Sequence, residues 1–249
     1  MGKNLVHYHG MLSYRRKSTG AERGREYWSL TRHRDGTRTM RCVAMTEDSQ
    51  FVRDVTYTLG KDHRPLDVFI RLQVGERFVG SGYFRVEGDQ MRVVTDGWDT
   101  GHVNQTLCVP ECFYIVTHAV MLDGWMFWSY DKAKGGEQCI PIYNTSTQWD
   151  GTDGPLGRQE TLRVTLVGEE EMEVPAGRFH TTHFRFESDF INVPTSDLWI
   201  TGEDLVLVKY DWSGLGLEYV LVSLVTEGGE SSRNPSGMGE GGKGYDQSD

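Results

Sequence analysis

The sequence predicts an all-β protein with one short helix, built as a curled antiparallel sheet or β-barrel around an aromatic-lined cavity. Three observations predict this. First, alternating segments are joined by short turn-forming dipeptides: Asp35-Gly36 between 27–34 and 37–45, Gly75-Glu76 between 66–74 and 77–86, and Gly202-Glu203 between 198–201 and 204–210. Asp-Gly, or Gly in first place, suits the primed turns whose twist matches that of antiparallel strands. Second, strand-like runs follow one another along almost the whole chain, and a sheet that large removes its exposed edges by closing or curling. Third, 7 Trp, 11 Tyr and 10 Phe are present and crowd the middle and later parts of the sequence. Side chains of that size must fill a thick interior or line a cavity.

Taken in order, strands are expected at 5–14, 25–34, 37–47, 51–59, 66–74, 77–86, 89–96, 101–108, 125–130, 139–149, 160–173, 178–188, 197–201, 204–211 and 216–226. Most alternate apolar and polar residues and so have one dry face. The last, Leu217–Val225, is apolar on both faces and reads as a central, doubly covered strand. A two-residue turn at 35–36 would oppose Arg34 to Thr37 and His33 to Arg38, putting the hydroxyls of Tyr27, Ser29 and Thr31 on one uncharged face with Met40, Cys42 and Ala44. The segment 110–122 starts with Pro110, reaches Asp123-Gly124, and carries Cys112, Ile115, Ala119 and Leu122 at helical spacing. It is read as the helix, although its β-branched content also suits a strand. Residues 150–159 read as a mobile loop over a barrel mouth. The folded domain is expected to span 5–227. The Gly/Ser-rich stretch 228–249, with no Val, Ile, Leu, Phe or Trp, is expected to be disordered.

The net charge of −10 argues against general nucleic-acid binding. The charge is uneven: residues 1–41 hold ten Lys/Arg and three Asp/Glu, a net of +7, which leaves −17 for the rest. Such a basic segment can hold an anionic ligand or pair with an acidic neighbour, and its bland reading is a solvated basic hairpin face. No apolar run approaches the ~18 residues of a membrane-spanning helix. The first residues lack a hydrophobic signal core, and Cys42, Cys108, Cys112 and Cys139 do not form a secreted disulfide pattern, so a cytoplasmic protein with reduced thiols is expected.

No metal site or cofactor is expected. His7 and His9 share a strand face, but no third ligand stands nearby in sequence. Gly151–Gly157 lacks the Lys-Ser/Thr of a phosphate loop, and no Gly-x-Ser-x-Gly elbow exists. What remains is acid–base chemistry. His183, Arg185 and Glu187 alternate onto one face of 178–188, where a carboxylate could orient an imidazole base and the Arg could hold an anionic group of a substrate. The bland reading of the same three residues is an exposed cross-strand charge row. His118 is the alternative acid–base. Trp128, Tyr130, Tyr143 and Trp199 are the candidate substrate-binding aromatics.

Glu173-Val-Pro-Ala-Gly-Arg-Phe-His-Thr181, followed by Asp197-Leu-Trp-Ile-Thr201 and Leu205-Val-Leu-Val-Lys209, resembles an uncharacterised bacterial family of open β-barrel proteins with a V-P-A-G-x-F turn. That family is similar in fold to the lipoprotein-localisation carriers. The resemblance covers about 160–225 and implies a curled sheet around a cavity plugged by a helix. It assigns no functional residue. The function expected is therefore a cytosolic, cofactor-independent enzyme acting on a small aromatic, terpenoid or polyketide-like molecule: a lyase, dehydratase or isomerase. The alternative is a non-catalytic carrier of a hydrophobic ligand.

Overall fold

The structure, a computed structural model, describes residues 5–188 and 193–227. The expected tail 228–249 lies outside the described residues. The strands are β1 (Val6–Arg16), β2 (Glu22–Arg32), β3 (Arg38–Thr46), β4 (Phe51–Leu59), β5 (Pro65–Val74), β6 (Arg77–Glu87), β7 (Gln90–Gly97), β8 (Gly101–Cys108), β9 (Tyr114–Val116), β10 (Glu137–Asn144), β11 (Arg158–Val174), β12 (Gly177–Ser188), β13 (Val193–Thr201), β14 (Val206–Trp212) and β15 (Leu217–Glu227). They form a single sheet in the order β8 to β1, then β15 to β9. Two meanders are thus joined where the first and last strands pair, with Met11 opposite Ser223 and Leu12 opposite Leu221 across a bulge. Only the short pair β9–β10 is parallel among the described strands.

The sheet is curled rather than closed. Its edges are β8 and β9, and the Gln159 side chain at the start of β11 reaches across to the Cys108 carbonyl of β8. Alternate residues turn inward: Trp28 and Leu30 on β2, Met40 and Cys42 on β3, and Val55 and Tyr57 on β4 are all buried. Removing that apolar area from water is the main stabilising term of the fold.

One 3-10 helix, Val120–Ser129, fills the trough, and every residue from Val120 to Phe127 is buried. The expected helix over 110–122 and the expected strand over 125–130 are both corrected by it. Tyr114–Val116 pairs as β9, and the helix begins later and runs through Trp125–Phe127. Gly124 is a packing glycine, not a stop: a Cβ there would meet the Leu205 carbonyl at 2.5 Å and Ile200 at 3.2 Å. Apolar residues on all sides, which suggested alternation, mark an enclosed helix instead.

The first hairpin also differs from expectation. His33, not Arg34, faces Thr37, and Arg32 pairs with Arg38. Asp35 accepts hydrogen bonds from the Thr37 amide at 2.9 Å and from its hydroxyl at 2.7 Å, which lengthens the connection by one residue. That slip moves Ser29 and Thr31 to the outer face, where Thr31 meets His7, while Cys42, Met40 and Ala44 join Trp28 and Leu30 inside. The turn at Gly75-Glu76 is the expected two residues, with Val74 opposite Arg77. The turn at 202–205 is four residues, with Thr201 opposite Val206. β15 is central as expected, but only its first half is covered. The V-P-A-G turn joins β11 and β12, with Val174 opposite Gly177.

Much of the basic charge of the first strands meets acidic residues elsewhere. Arg16 and Arg23 pair with Asp48, Lys17 with Asp211, and Arg32 and Arg38 with Asp204.

Candidate functional site

A cavity of about 80 Å³ lies between the plug helix and the curled sheet. Tyr14 of β1, Phe51 of β4, Phe186 of β12, Tyr210 and Trp212 of β14 and Tyr219 of β15 supply its aromatic walls. Trp149, from the connection between β10 and β11, meets Trp212 edge-on at 5.5 Å.

Polar groups lie in this wall or behind it, and each is there for a local reason. Glu26 occupies an inward position of β2 and is fully buried. Its carboxylate accepts hydrogen bonds from the Tyr14 hydroxyl and from the amides of Val120 at 2.7 Å and Met121 at 2.9 Å. It therefore caps the plug helix, whose own N-terminal residue, Ala119, provides no side-chain cap. Burial raises the Glu26 pKa despite these bonds. Arg53, inward on β4 beside Phe51, donates to three backbone carbonyls: His118 at 2.6 Å, Asp150 at 2.7 Å and Gly151 at 2.9 Å. It fastens Asp150 and Gly151, at the start of the 150–159 stretch expected to be a mobile loop, onto the cavity.

His118 borders the cavity with a left-handed backbone, φ 58°. Its Nε2 lies 2.9 Å from Asn144 Oδ1. Burial first, then the Arg53 charge, lower its pKa to about 4, overriding the ring's hydrogen bonds to Asn144 Oδ1 and the Trp149 backbone. The ring is neutral at pH 7, with Nε2 donating to Asn144. Asp123, on the plug helix, borders the same cavity, and its Oδ1 has no hydrogen-bond partner among the described residues. Burial, reinforced by the nearby Glu26, pushes its carboxyl well above the usual range, which favours the protonated form that can donate. Trp212 Nε1 is a second orphaned polar atom on the cavity wall. Buried groups of this kind ordinarily find partners.

Of the residues singled out from sequence, only His118 borders this cavity. Strand alternation sends Phe184, Phe186 and Ser188 of β12 inward, and His183, Arg185 and Glu187 to the opposite face. His183 Nε2 is 2.7 Å from Asp197 Oδ1, its Nδ1 is 3.2 Å from Glu170 Oε1, and its ring stacks on Trp199 at 4.2 Å. The expected pairing of His183 with Glu187 is corrected, because Glu187 lies 3.0 Å from Arg163. Arg185 pairs with Asp197 at 3.0 Å. These residues form a cross-strand charge row on the outer face. Trp199 belongs to that row and donates to Glu170 at 2.7 Å. Tyr130 and Tyr143 are buried core residues whose hydroxyls bond the Gly136 and Gly157 carbonyls. Trp128 stacks on His63 at 3.5 Å, away from the cavity.

Sequence reasoning missed Glu26, Arg53, Asp123 and Trp212. The signal for Glu26 and Arg53 was available. Each is a charge on the dry face of an alternating strand, Glu26 in phase with Trp28 and Leu30, Arg53 in phase with Val55 and Tyr57. A charge buried that way must be paired or hydrogen-bonded.

No protein-family model matches the chain, and no curated protein matches it. Among solved structures, the chain is similar to a β-barrel-like protein of domain of unknown function DUF1849 from Brucella abortus, with 12% identity, a TM-score of 0.50, and coverage of 89% of this chain and 97% of that one. A DUF1089 family protein from Pseudomonas aeruginosa matches with 13% identity, a TM-score of 0.42, and coverage of 75% and 89%. With its curled sheet and helical plug, and its likeness to the Brucella abortus protein, the chain has the open β-barrel-like fold that the V-P-A-G resemblance implied.

Proposed function

We propose that the protein binds a small, largely apolar molecule carrying one acceptor oxygen, such as a carbonyl. The observation that carries this reading is the pair of orphaned groups on one aromatic-lined wall: the Asp123 carboxyl, which donates when protonated, and the Trp212 indole N–H. A ligand oxygen would satisfy both, and the aromatic walls would take its apolar part. The cavity volume, about 80 Å³, is roughly half the ~150 Å³ of an engineered apolar cavity that holds benzene. It favours a molecule of a few heavy atoms, or the end of a larger one, over a fully enclosed terpenoid or polyketide. Native mass spectrometry of the purified protein tests the reading. A bound small molecule that is lost in Asp123→Leu is expected, and an unliganded mass that no small ketone alters would oppose it.

Catalysis is a second reading, favoured by one specific observation: His118, whose pKa burial lowers, and Asp123, whose pKa burial raises, border the same cavity. The acid could polarise a carbonyl while the imidazole removes a neighbouring proton, which is isomerase or lyase chemistry without a cofactor. Exchange of ketone α-protons with deuterated water, abolished in His118→Gln, would support it. The four unpaired cysteines support a reducing, cytoplasmic location, which cell fractionation would test.

A further inference from the structure

A second cavity, of about 70 Å³, borders the later part of the plug helix, where Met126 lines both cavities. It is formed by the β4–β5 turn, by residues 111–114 and by the helix residues Trp125, Met126, Trp128 and Ser129. Two of its polar atoms are buried and have no hydrogen-bond partner among the described residues: Arg64 Nε and Trp128 Nε1. Both are obligate donors, so one acceptor would answer both. One other nitrogen of Arg64 is engaged, Nη2 donating to the Pro110 carbonyl at 3.3 Å. The indole is held flat by the His63 ring at 3.5 Å, and the Arg38 guanidinium lies 5.0 Å from its centre. His63 itself sits in the β4–β5 turn with a left-handed backbone, φ 64°. The donors are thus fixed in place, with their own residues constrained by other contacts.

We propose that this cavity is a binding site for a monoanionic carboxylate with a short apolar tail. The carboxylate would accept from Arg64 Nε and Trp128 Nε1, and the tail would lie against Phe113, Trp125 and Met126. Asp62 and Glu111 stand at the same rim. Their charges oppose a dianion such as phosphate more strongly than a single carboxylate. The site shares neither Asp123 nor Trp212 with the larger cavity, so it can fail or succeed separately from the carbonyl-binding reading.

The test is a titration of the full chain with butyrate, with its neutral counterpart butyramide, and with inorganic phosphate. It is followed by NMR at the indole N–H of Trp128 and, separately, of Trp212. Butyrate is expected to move the Trp128 resonance with a Kd of roughly millimolar order, as suits so small a ligand, while butyramide and phosphate bind far more weakly. Arg64→Met and Trp128→Phe should each weaken butyrate binding about tenfold or more. In Trp128→Phe, which keeps a ring against His63, binding is read by calorimetry. Unchanged affinity in either folded variant, equal binding of all three compounds, or no response at Trp128 would overturn the proposal.

Discussion

At the residue scale, Glu26 has the largest structural consequence. Its removal leaves two helix-start amides and a tyrosine hydroxyl buried without a partner. Glu26→Ala should therefore cost about 3 kcal/mol or more in urea unfolding, and Glu26→Gln, which keeps an acceptor, clearly less. His118 makes a pH prediction. Its pKa falls from 6.5 when unfolded to about 4 when folded. The unfolded chain thus takes up a proton that the native ring refuses. Above pH 6.5 this has no effect, and stability falls as the pH drops from 6.5 towards 4. His118→Gln should flatten that part of the stability–pH curve; an unchanged slope would show the ring titrating normally. His183→Ala, by contrast, should leave cavity binding untouched, since its ring lies in the outer charge row with Asp197 and Glu170. From sequence, three polar residues alternating with Phe184 and Phe186 revealed that one face was polar, but not which face turned inward. Inwardness is decided by the strands packed around the plug, and no residue within β12 encodes it.

At the element scale, most strands were legible because alternation and turn residues are local signals. The plug helix was not. It is short, 3-10 in hydrogen bonding and surrounded by apolar contacts, so neither a helical stripe nor its own cap marks it. Its cap, Glu26, is 94 residues away from Val120 in sequence. The same limit applies to the first hairpin, where one Asp35 side chain shifted the register and reversed the faces. Gly124 makes the docking of the plug testable. Gly124→Ala brings a methyl against the Leu205 carbonyl and should destabilise by roughly 1–3 kcal/mol, the usual cost of overpacking. Loss of protection at the Val120 and Met121 amides in hydrogen exchange should accompany it. A variant as stable as the parent would mean that the helix is not held at this point.

At the scale of the whole molecule, two meanders joined at β1–β15 make a curled sheet, one buried helix fills it, and a cavity survives where the helix leaves aromatic walls uncovered. Curling and the aromatic interior followed from strand number and composition. The position of the cavity did not, because it depends on which inward side chains the plug fails to reach. The central claim is that the orphaned Asp123 and Trp212 groups on this wall converge on one ligand oxygen. The most direct measurement is the chemical shift of the Trp212 indole N–H during titration with a small ketone such as butanone. A saturable downfield shift, absent in Asp123→Leu at the same ketone concentration, is the predicted result. A Trp212 resonance that stays in place at saturating ketone, in a protein that remains folded, would contradict the account.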